Sequence, residues 1–308
     1  MLHHDSRHDT GWSGAMKSTI RRFISGIAIA GFAQTALAAD PGYSPEFFNP
    51  SPALYFNWSG FYFGASGGGG IADAEFGNGA FSLLSSTLVT TPLATAVQLP
   101  SGALALSPDN TTFSSFGGFA GYNTQWESAI LSLEVNYHRT SLDVSAFSST
   151  PTFAIPGSGN VAFYNVDASV GSRISLTDYA TIRGRAGWAL GNFLPYATLG
   201  LAIGRADVTN SALVHFTGVD NRGIVVANVD VPINQLQKDK FAVGYAVGVG
   251  VDWMVMSGLF VRAEYEFVEF ANFGDRSEFP NGSRIPPIEF VQRTLSLNTV
   301  RLGLGYKF

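Results

Sequence analysis

The chain has 308 residues, of which 46% are hydrophobic and 13% charged, whereas about 25% are charged in an ordinary soluble domain. It has no cysteine, which excludes disulfide scaffolds, thiolate zinc sites and thiol nucleophiles, and its net charge of -5 offers no basic surface for nucleic acid. Beyond the N-terminal region there is no apolar run long enough for a membrane-spanning helix. Two classes remain: a β-sandwich with a very large core, or a barrel whose outside faces lipid.

The N-terminal region predicts export. Met16 is followed by basic residues, a mostly apolar run over 23–33 and an A-x-A motif that ends at Ala38. This order is typical of a secretory signal peptide. We therefore expect residues 1–38 to hold an upstream extension and a signal peptide, with translation starting at Met16 and cleavage after Ala38. A Pro-rich linker is expected over 39–57.

Eight segments of the remaining chain, 58–308, alternate with period 2 and predict β-strands. They lie near 58–71, 112–125, 129–144, 173–190, 193–207, 240–254 and 257–271, and at the C-terminus. One face of each segment carries large apolar residues, and the other carries small or charged ones. A soluble barrel with an apolar interior shows the same alternation, but the small face here is too small and too charged to fill a dry core.

The connections between these segments alternate in length. Short ones at 125–128, 191–192 and 255–257 alternate with long ones at 72–111, 145–172, 208–239 and 272–294. In an antiparallel sheet this alternation places every long loop on one rim. The strands must also close, because an open edge would leave unpaired backbone groups in hydrocarbon. The sequence therefore predicts an all-β fold: an eight-stranded antiparallel transmembrane barrel with short periplasmic turns and four long extracellular loops.

Aromatic residues near the ends of the segments predict girdles at the two membrane interfaces. These interfacial aromatics are Trp58, Tyr137, Trp188, Tyr196 and Trp253.

A resemblance to a known family rests on four stretches: 58–64 (WSGFYFG), 183–188 (RGRAGW), 194–196 (LPY) and 298–308 (NTVRLGLGYKF). They resemble the small porin-family outer-membrane proteins of alphaproteobacteria, the group of the 25- and 31-kilodalton surface antigens of brucellae and their rhizobial relatives. The resemblance covers 58–308 and implies an eight-stranded barrel in a Gram-negative outer membrane. Leu304, Tyr306 and Phe308 look like the C-terminal signal read by the barrel-assembly machinery.

The partners expected on this basis are outer-membrane lipid and lipopolysaccharide, with periplasmic chaperones and the barrel-assembly machinery acting during biogenesis. Nucleic acid is not an expected partner, and the residues identify no loop ligand.

The search for catalytic and metal motifs leads to no predicted enzyme activity, cofactor or metal. The glycines at 67–70 are not followed by a phosphate-loop lysine, and we interpret them as allowing a strand to bend. His138 and His215 have no partner at metal-ligand spacing. Glu264 and Glu266 are two residues apart in a lumen-facing strand, a spacing that needs no glycosidase to explain it.

Period-2 counting places seven charged residues on the small face at comparable depth. They are Glu134, Arg183, Arg185, Arg262, Glu264, Glu266 and Arg301. Three carboxylates would meet four guanidinium groups, whose planar forks suit bidentate pairing. We predict an ion-pair network that plugs the lumen, with Arg183, Arg301 and Glu264 near its centre. The alternative is that strand tilt and shear separate the charges, so that each is hydrated.

The first long loop is unusually apolar, since residues 79–110 hold several leucines and one charge, Asp109. Its apolar residues either form a surface for a ligand or pack on the other loops as a continued hairpin, and we favour packing because the Val, Leu and Thr content suits strands.

Two classes of function follow. The first is a structural and surface-interaction protein with a plugged lumen. The second is a small-solute porin, or a ligand-binding and uptake protein that uses the lumen or the loops. Eight strands leave an interior that side chains can fill, which favours the first.

Overall fold

A computed structural model describes part of the chain, including most of the predicted barrel. The described residues are 57–76, 104–107, 109–157, 159–271, 276–277, 288–289 and 294–308. The predicted signal peptide and nearly all of the predicted linker lie outside them. Within the described ranges, no helix is long and apolar enough to cross a membrane.

The described residues form a closed ring of antiparallel strands. The strands are β1 (Gly60–Glu75), β2 (Asp109–Trp126), β3 (Ala129–Ser149), β4 (Phe153–Pro156), β5 (Phe163–Trp188), β6 (Phe193–Val219), β7 (Val225–Met256), β8 (Leu259–Ala271), β9 (Arg276–Ser277), β10 (Ile288–Glu289) and β11 (Thr294–Lys307). The ring runs β1-β2-β3-β5-β6-β7-β8-β11 and closes where β11 pairs with β1. It confirms the predicted eight-stranded antiparallel barrel.

One rim of the barrel carries the tight turns. Glu127 and Gly258, in the turns after β2 and β7, have positive φ angles of 55° and 82°. β1 begins and β11 ends at this rim, where the amide of Phe308 donates to the carbonyl of Phe61 at 2.9 Å. These tight turns match the short periplasmic turns that the sequence predicts.

Three strands are much longer than a membrane crossing requires. β5, β6 and β7 have 26, 27 and 32 residues, whereas about 9–11 residues cross a bilayer. The connections expected at 145–172 and 208–239 are therefore β-strand over most of their length. β6 and β7 run up to the short turn at 220–224. The period-2 pattern continues there, but its polarity is reversed, so a search for large apolar outward faces missed it.

The reversal of polarity divides the wall into two zones. In the lower part of β3, Leu133 faces outward and Glu134 faces the lumen, whereas higher up Leu142 and Val144 face inward and Asp143 faces outward. The reversal follows the change of surroundings from lipid to water, because only a wall in water must hide its apolar side chains. We call the upper zone, formed by 142–149, 163–176, 208–219 and 225–237, the extension.

Two β-bulges help to exchange the faces between the zones. One extra residue in β5, at the register shift between Leu176 and Asp178, makes even-numbered residues face inward above it and odd-numbered ones below. An extra residue in β7 near Asp239, whose φ is 54°, exchanges the faces with the opposite numbering: odd-numbered Val231 lies inward above it and even-numbered Ala242 below it. A single inserted residue is enough because side chains alternate with period 2.

The interior of the barrel is filled in three layers. The lower apolar layer, near the tight turns, comprises Trp58, Tyr62, Phe119, Ile130, Leu194, Met254 and Phe260. The upper apolar core fills the extension and includes Leu142, Ile174, Leu176, Val208 and Phe270. Leu104 and Leu106, from the end of the predicted apolar loop, are buried in this core; residues 77–103 lie outside the described part of the chain. The charged residues of the lumen lie between the two apolar layers.

Candidate functional site: the charge network of the lumen

All seven charged residues selected from the sequence lie inside the barrel and contact one another. None is more than 5% exposed. They come from β3 and β5 on one wall of the ring and from β8 and β11 on the opposite wall, and they meet across the lumen because each residue occupies an inward position.

Arg183 is the central member of the network. Its guanidinium group contacts Glu134 at 2.7 Å and Glu264 at 2.8 Å, and it also pairs with Glu266. Arg301 reaches the same glutamates from β11, at 2.9 Å from Glu266 and 3.7 Å from Glu264. One guanidinium therefore bridges three carboxylates on two strands, and a second one offsets part of the remaining negative charge.

Asp252 is a network member that the sequence analysis missed. Arg262 binds its carboxylate in a bidentate manner, at 2.8 and 3.1 Å, and Arg185 also pairs with it. Arg262 then contacts Glu134 at 2.8 Å, which joins this group to Arg183. The alternation in β7 already placed Asp252 on the lumen face, but its inward neighbours there are Ala and Gly. With Asp252 included, four carboxylates balance four guanidinium groups.

Tyrosines complete the hydrogen bonds of the carboxylates. The hydroxyl of Tyr62 donates to Glu134 at 2.7 Å and that of Tyr196 donates to Glu264 at 2.9 Å. The guanidinium carbon of Arg185 lies 3.6 Å from the ring centroid of Tyr196, a cation–π contact. A phenol suits this position because its ring packs on the guanidinium plane while its hydroxyl reaches a carboxylate.

Two of the five predicted interfacial aromatics were assigned to the wrong face. Tyr196 is 6% exposed and belongs to the network, and Trp58 is 1% exposed in the lower apolar layer. The indole Nε1 of Trp58 donates to the carbonyl of Gly191 at 3.3 Å. Tyr196 has the even-numbered, inward phase of β6, and Trp58 precedes β1 and turns under the barrel, so nearness to a strand end did not determine which face they occupy.

The other three interfacial aromatics, Tyr137, Trp188 and Trp253, face outward and are 52%, 56% and 45% exposed. Leu304 and Tyr306 also face outward, and Phe308 is 69% exposed with its ring 5.2 Å from that of Tyr306. These placements suit an interface and an exposed terminal signal; the assembly role remains a prediction.

The carboxylates of the network are bound by donors from the barrel itself. Each of these carboxylates accepts a hydrogen bond from a guanidinium group or a phenol. His138 is buried beside Tyr179, with ring centroids 5.5 Å apart. In the described part of the chain, no group of three or more His, Cys, Asp or Glu residues is placed to hold a metal ion.

Comparison with known proteins places these features in a family. The chain matches the family model described as outer membrane protein beta-barrel domain over residues 27–308. It is 24% identical over 297 residues to the 31 kDa outer-membrane immunogenic protein of Brucella melitensis biotype 1, a match that covers 95% of this chain and 100% of that protein. It is 25% identical over 195 residues to the 22 kDa outer membrane protein of Rhizobium leguminosarum bv. viciae, covering 63% of this chain and 66% of that protein.

Solved structures give weaker similarities. Neisserial surface protein A is 12% identical, with a TM-score of 0.30, and the match covers 81% of this chain and 98% of that one. Ail of Yersinia pestis is 11% identical, with a TM-score of 0.28, and the match covers 81% and 99%. The curated relatives confirm the resemblance predicted from the four stretches of sequence.

Proposed function

The chain belongs to the family described as outer membrane protein beta-barrel domain, and on that premise we propose that it is a closed barrel that strengthens the outer membrane and displays its extension at the cell surface. The observation that carries this proposal is the filled lumen. A balanced network of four guanidinium groups and four carboxylates lies between two apolar layers. An eight-stranded barrel has an interior that side chains can fill, so these layers suffice to close it.

The network also explains why the plug is stable once formed. Separating a guanidinium from its carboxylates would leave a buried charge without compensation, at a cost of about 3–5 kcal/mol for one lost partner. A solute that entered the lumen would have to break several such pairs together.

Conductance of the refolded protein in planar bilayers tests the closure. We expect a silent bilayer at voltages that reveal conductance of a known porin refolded in the same way. Reproducible single-channel steps from the wild-type protein would overturn the proposal and favour the porin alternative.

Display at the surface is supported by the extension, which carries charged pairs on its outside and an apolar core inside. Arg173 and Asp143, for example, form an ion pair on its outer face. The Brucella relatives are named immunogenic proteins, and exposure of an equivalent region would make this one accessible to antibodies as well.

Thiol labelling tests the display, because the chain has no cysteine of its own. Phe147→Cys lies on the extension, where Phe147 is 71% exposed, and Glu127→Cys lies in a tight turn of the opposite rim. A membrane-impermeant maleimide should label the Phe147 variant on intact cells and the Glu127 variant only after permeabilisation. The reverse pattern would contradict the proposed orientation.

A further inference from the structure

Three side chains form a charged row across the outer face of the extension. Asp167 on β5 pairs in register with His215 on β6, and His215 pairs in register with Asp230 on β7. Residues opposite each other in adjacent strands have side chains on the same face, so the imidazole lies between two carboxylates. His215 and Asp167 are partly exposed and Asp230 is exposed, so protons of the surrounding water reach the row freely.

Both nitrogens of the imidazole have partners. Nδ1 of His215 is hydrogen-bonded to the carboxylate of Asp230, and Nε2 lies 3.1 Å from the hydroxyl of Thr217. The imidazolium donates through both nitrogens, whereas the neutral ring has one N–H and must accept at the other nitrogen. A change of protonation therefore leaves the ring in place but removes the positive charge between the two carboxylates.

No other titratable group faces this row from the adjacent positions of the described strands. Those outward positions are Asn165 and Ser169 on β5, Leu213 and Thr217 on β6, and Asn228 and Pro232 on β7. The hydrogen bond to Asp230 raises the pKa of His215 above its ordinary value, and the charges of Asp230 and Asp167 act in the same direction. The imidazole is therefore set to titrate above about 6.5, the ordinary value for histidine.

Among the described residues, the row crosses a part of the sheet in which β7 has one neighbouring strand. β8 pairs with β7 from Val243 downward, and among the described residues β6 is the partner of the 225–242 part of β7. Edge segments of this kind open locally at a lower free energy than the body of a sheet. A change in the attraction between β6 and β7 would therefore act where the structure opens most readily.

We propose that Asp167, His215 and Asp230 form a pH-operated clasp that holds the β6–β7 hairpin of the extension closed when the histidine is protonated and loosens it when the histidine is neutral. The three groups lie on the outer face of the extension, so in the orientation proposed above their protonation follows the pH outside the cell. The plugged lumen is not involved, because its charges lie in the lower zone of the barrel.

The direction of the effect follows from proton linkage. The folded hairpin binds a proton at His215 more tightly than the open hairpin does, so protonation stabilises the closed form. The stabilisation is complete below about pH 6.5, the unfolded value. It is lost as the pH rises through the folded pKa of His215.

A buried cysteine placed beside the row measures opening of the hairpin. Val214→Cys puts a thiol on the inward face of β6, where Val214 is 1% exposed, and its rate of maleimide labelling reports how often the hairpin opens. At each pH, the labelling rate of the variant is divided by the labelling rate of a free cysteine peptide. This division removes the effect of thiol ionisation on the rate, and EDTA is present throughout. Val144→Cys, equally buried in β3 of the extension but away from the row, is the matched control.

We expect the normalised labelling rate of Val214→Cys to rise about two- to fivefold from pH 5.5 to 8.5, as suits an exposed ion pair, while that of Val144→Cys stays level. Adding His215→Gln should abolish the pH dependence, and adding Asp230→Asn should move its midpoint to lower pH. A rate that does not change with pH, or an equal rise in Val144→Cys, would overturn the proposal. So would a pH dependence that survives His215→Gln.

Discussion

Glu134 on β3 and Arg183 on β5 lie directly opposite each other, and Arg183 Nη2 is 2.7 Å from Glu134 Oε1. Both side chains are almost completely buried, at 0% and 1% exposure. Charges this deep are tolerated when they compensate each other, because the desolvation of an isolated ion is expensive. The stability of the barrel therefore depends on every member of the network being present.

Removal of one carboxylate from the network should be costly. Glu264→Ala takes away a partner of both Arg183 and Arg301, so we expect the free energy of unfolding to fall by about 3–5 kcal/mol. Urea unfolding of the refolded barrel in detergent measures this loss. Asp143→Ala, which breaks the exposed pair with Arg173, is the control and should leave the unfolding midpoint close to that of the wild type. A loss below about 1 kcal/mol for Glu264→Ala would contradict a buried network.

A glycine makes room for one of the network tyrosines. Gly250 lies opposite Tyr196 in the register, and a Cβ atom there would be 2.5 Å from the tyrosine hydroxyl and 2.8 Å from the carbonyl of Ala263. Gly250→Ala should therefore destabilise the barrel by about 1–3 kcal/mol, the usual cost of overpacking. The contrasting variant is Gly184→Ala, where the nearest atom would be 3.8 Å away. Equal thermal unfolding midpoints for the two variants would show that Tyr196 is not held as described.

The C-terminal residue is expected to act in assembly. Its ring lies 5.6 Å from that of Phe63 and 5.2 Å from that of Tyr306, but Phe308 is 69% exposed, so most of its surface remains accessible. Deleting Phe308 should slow insertion into the outer membrane, as measured by pulse–chase fractionation, while Phe116→Ala, which removes another outward aromatic ring, should not. Insertion of the shortened chain at the wild-type rate would show that Phe308 is not part of the signal.

The different positions of Trp58 and Trp253 can be measured by fluorescence quenching. A variant that keeps Trp253 alone should be quenched strongly by lipids with brominated acyl chains, because this ring is on the outer wall and stacks on Phe193. A variant that keeps Trp58 alone should be quenched weakly, because its indole is enclosed in the lower apolar layer. Both variants must first show the same heat-modifiable electrophoretic migration as the wild type, so that only folded barrels are compared. Comparable quenching of the two would restore the earlier placement of Trp58 at the interface.

Local pattern predicted the ring and most of the network. Alternation in β3 and β8 already placed Glu134, Arg262 and Glu264 on the inward face. Side chains of a strand alternate with period 2, so once the apolar set faces outward the other set must face the lumen. The same alternation places Asp252 on the inward face of β7. Its contacts with Arg262 and Arg185 became visible only in the tertiary structure.

The sequence by itself determined the number of strands, their antiparallel order and the face on which each charge lies, since these follow from the alternation and from the lengths of the connections. The tertiary structure decided which charges touch, because contacts across a lumen depend on strand tilt and register, which bring Arg183 to three carboxylates on two other strands. It also decided that the upper strands continue beyond the membrane. There the same alternation has the opposite polarity, and a pattern of period 2 does not state whether lipid or water lies outside the wall.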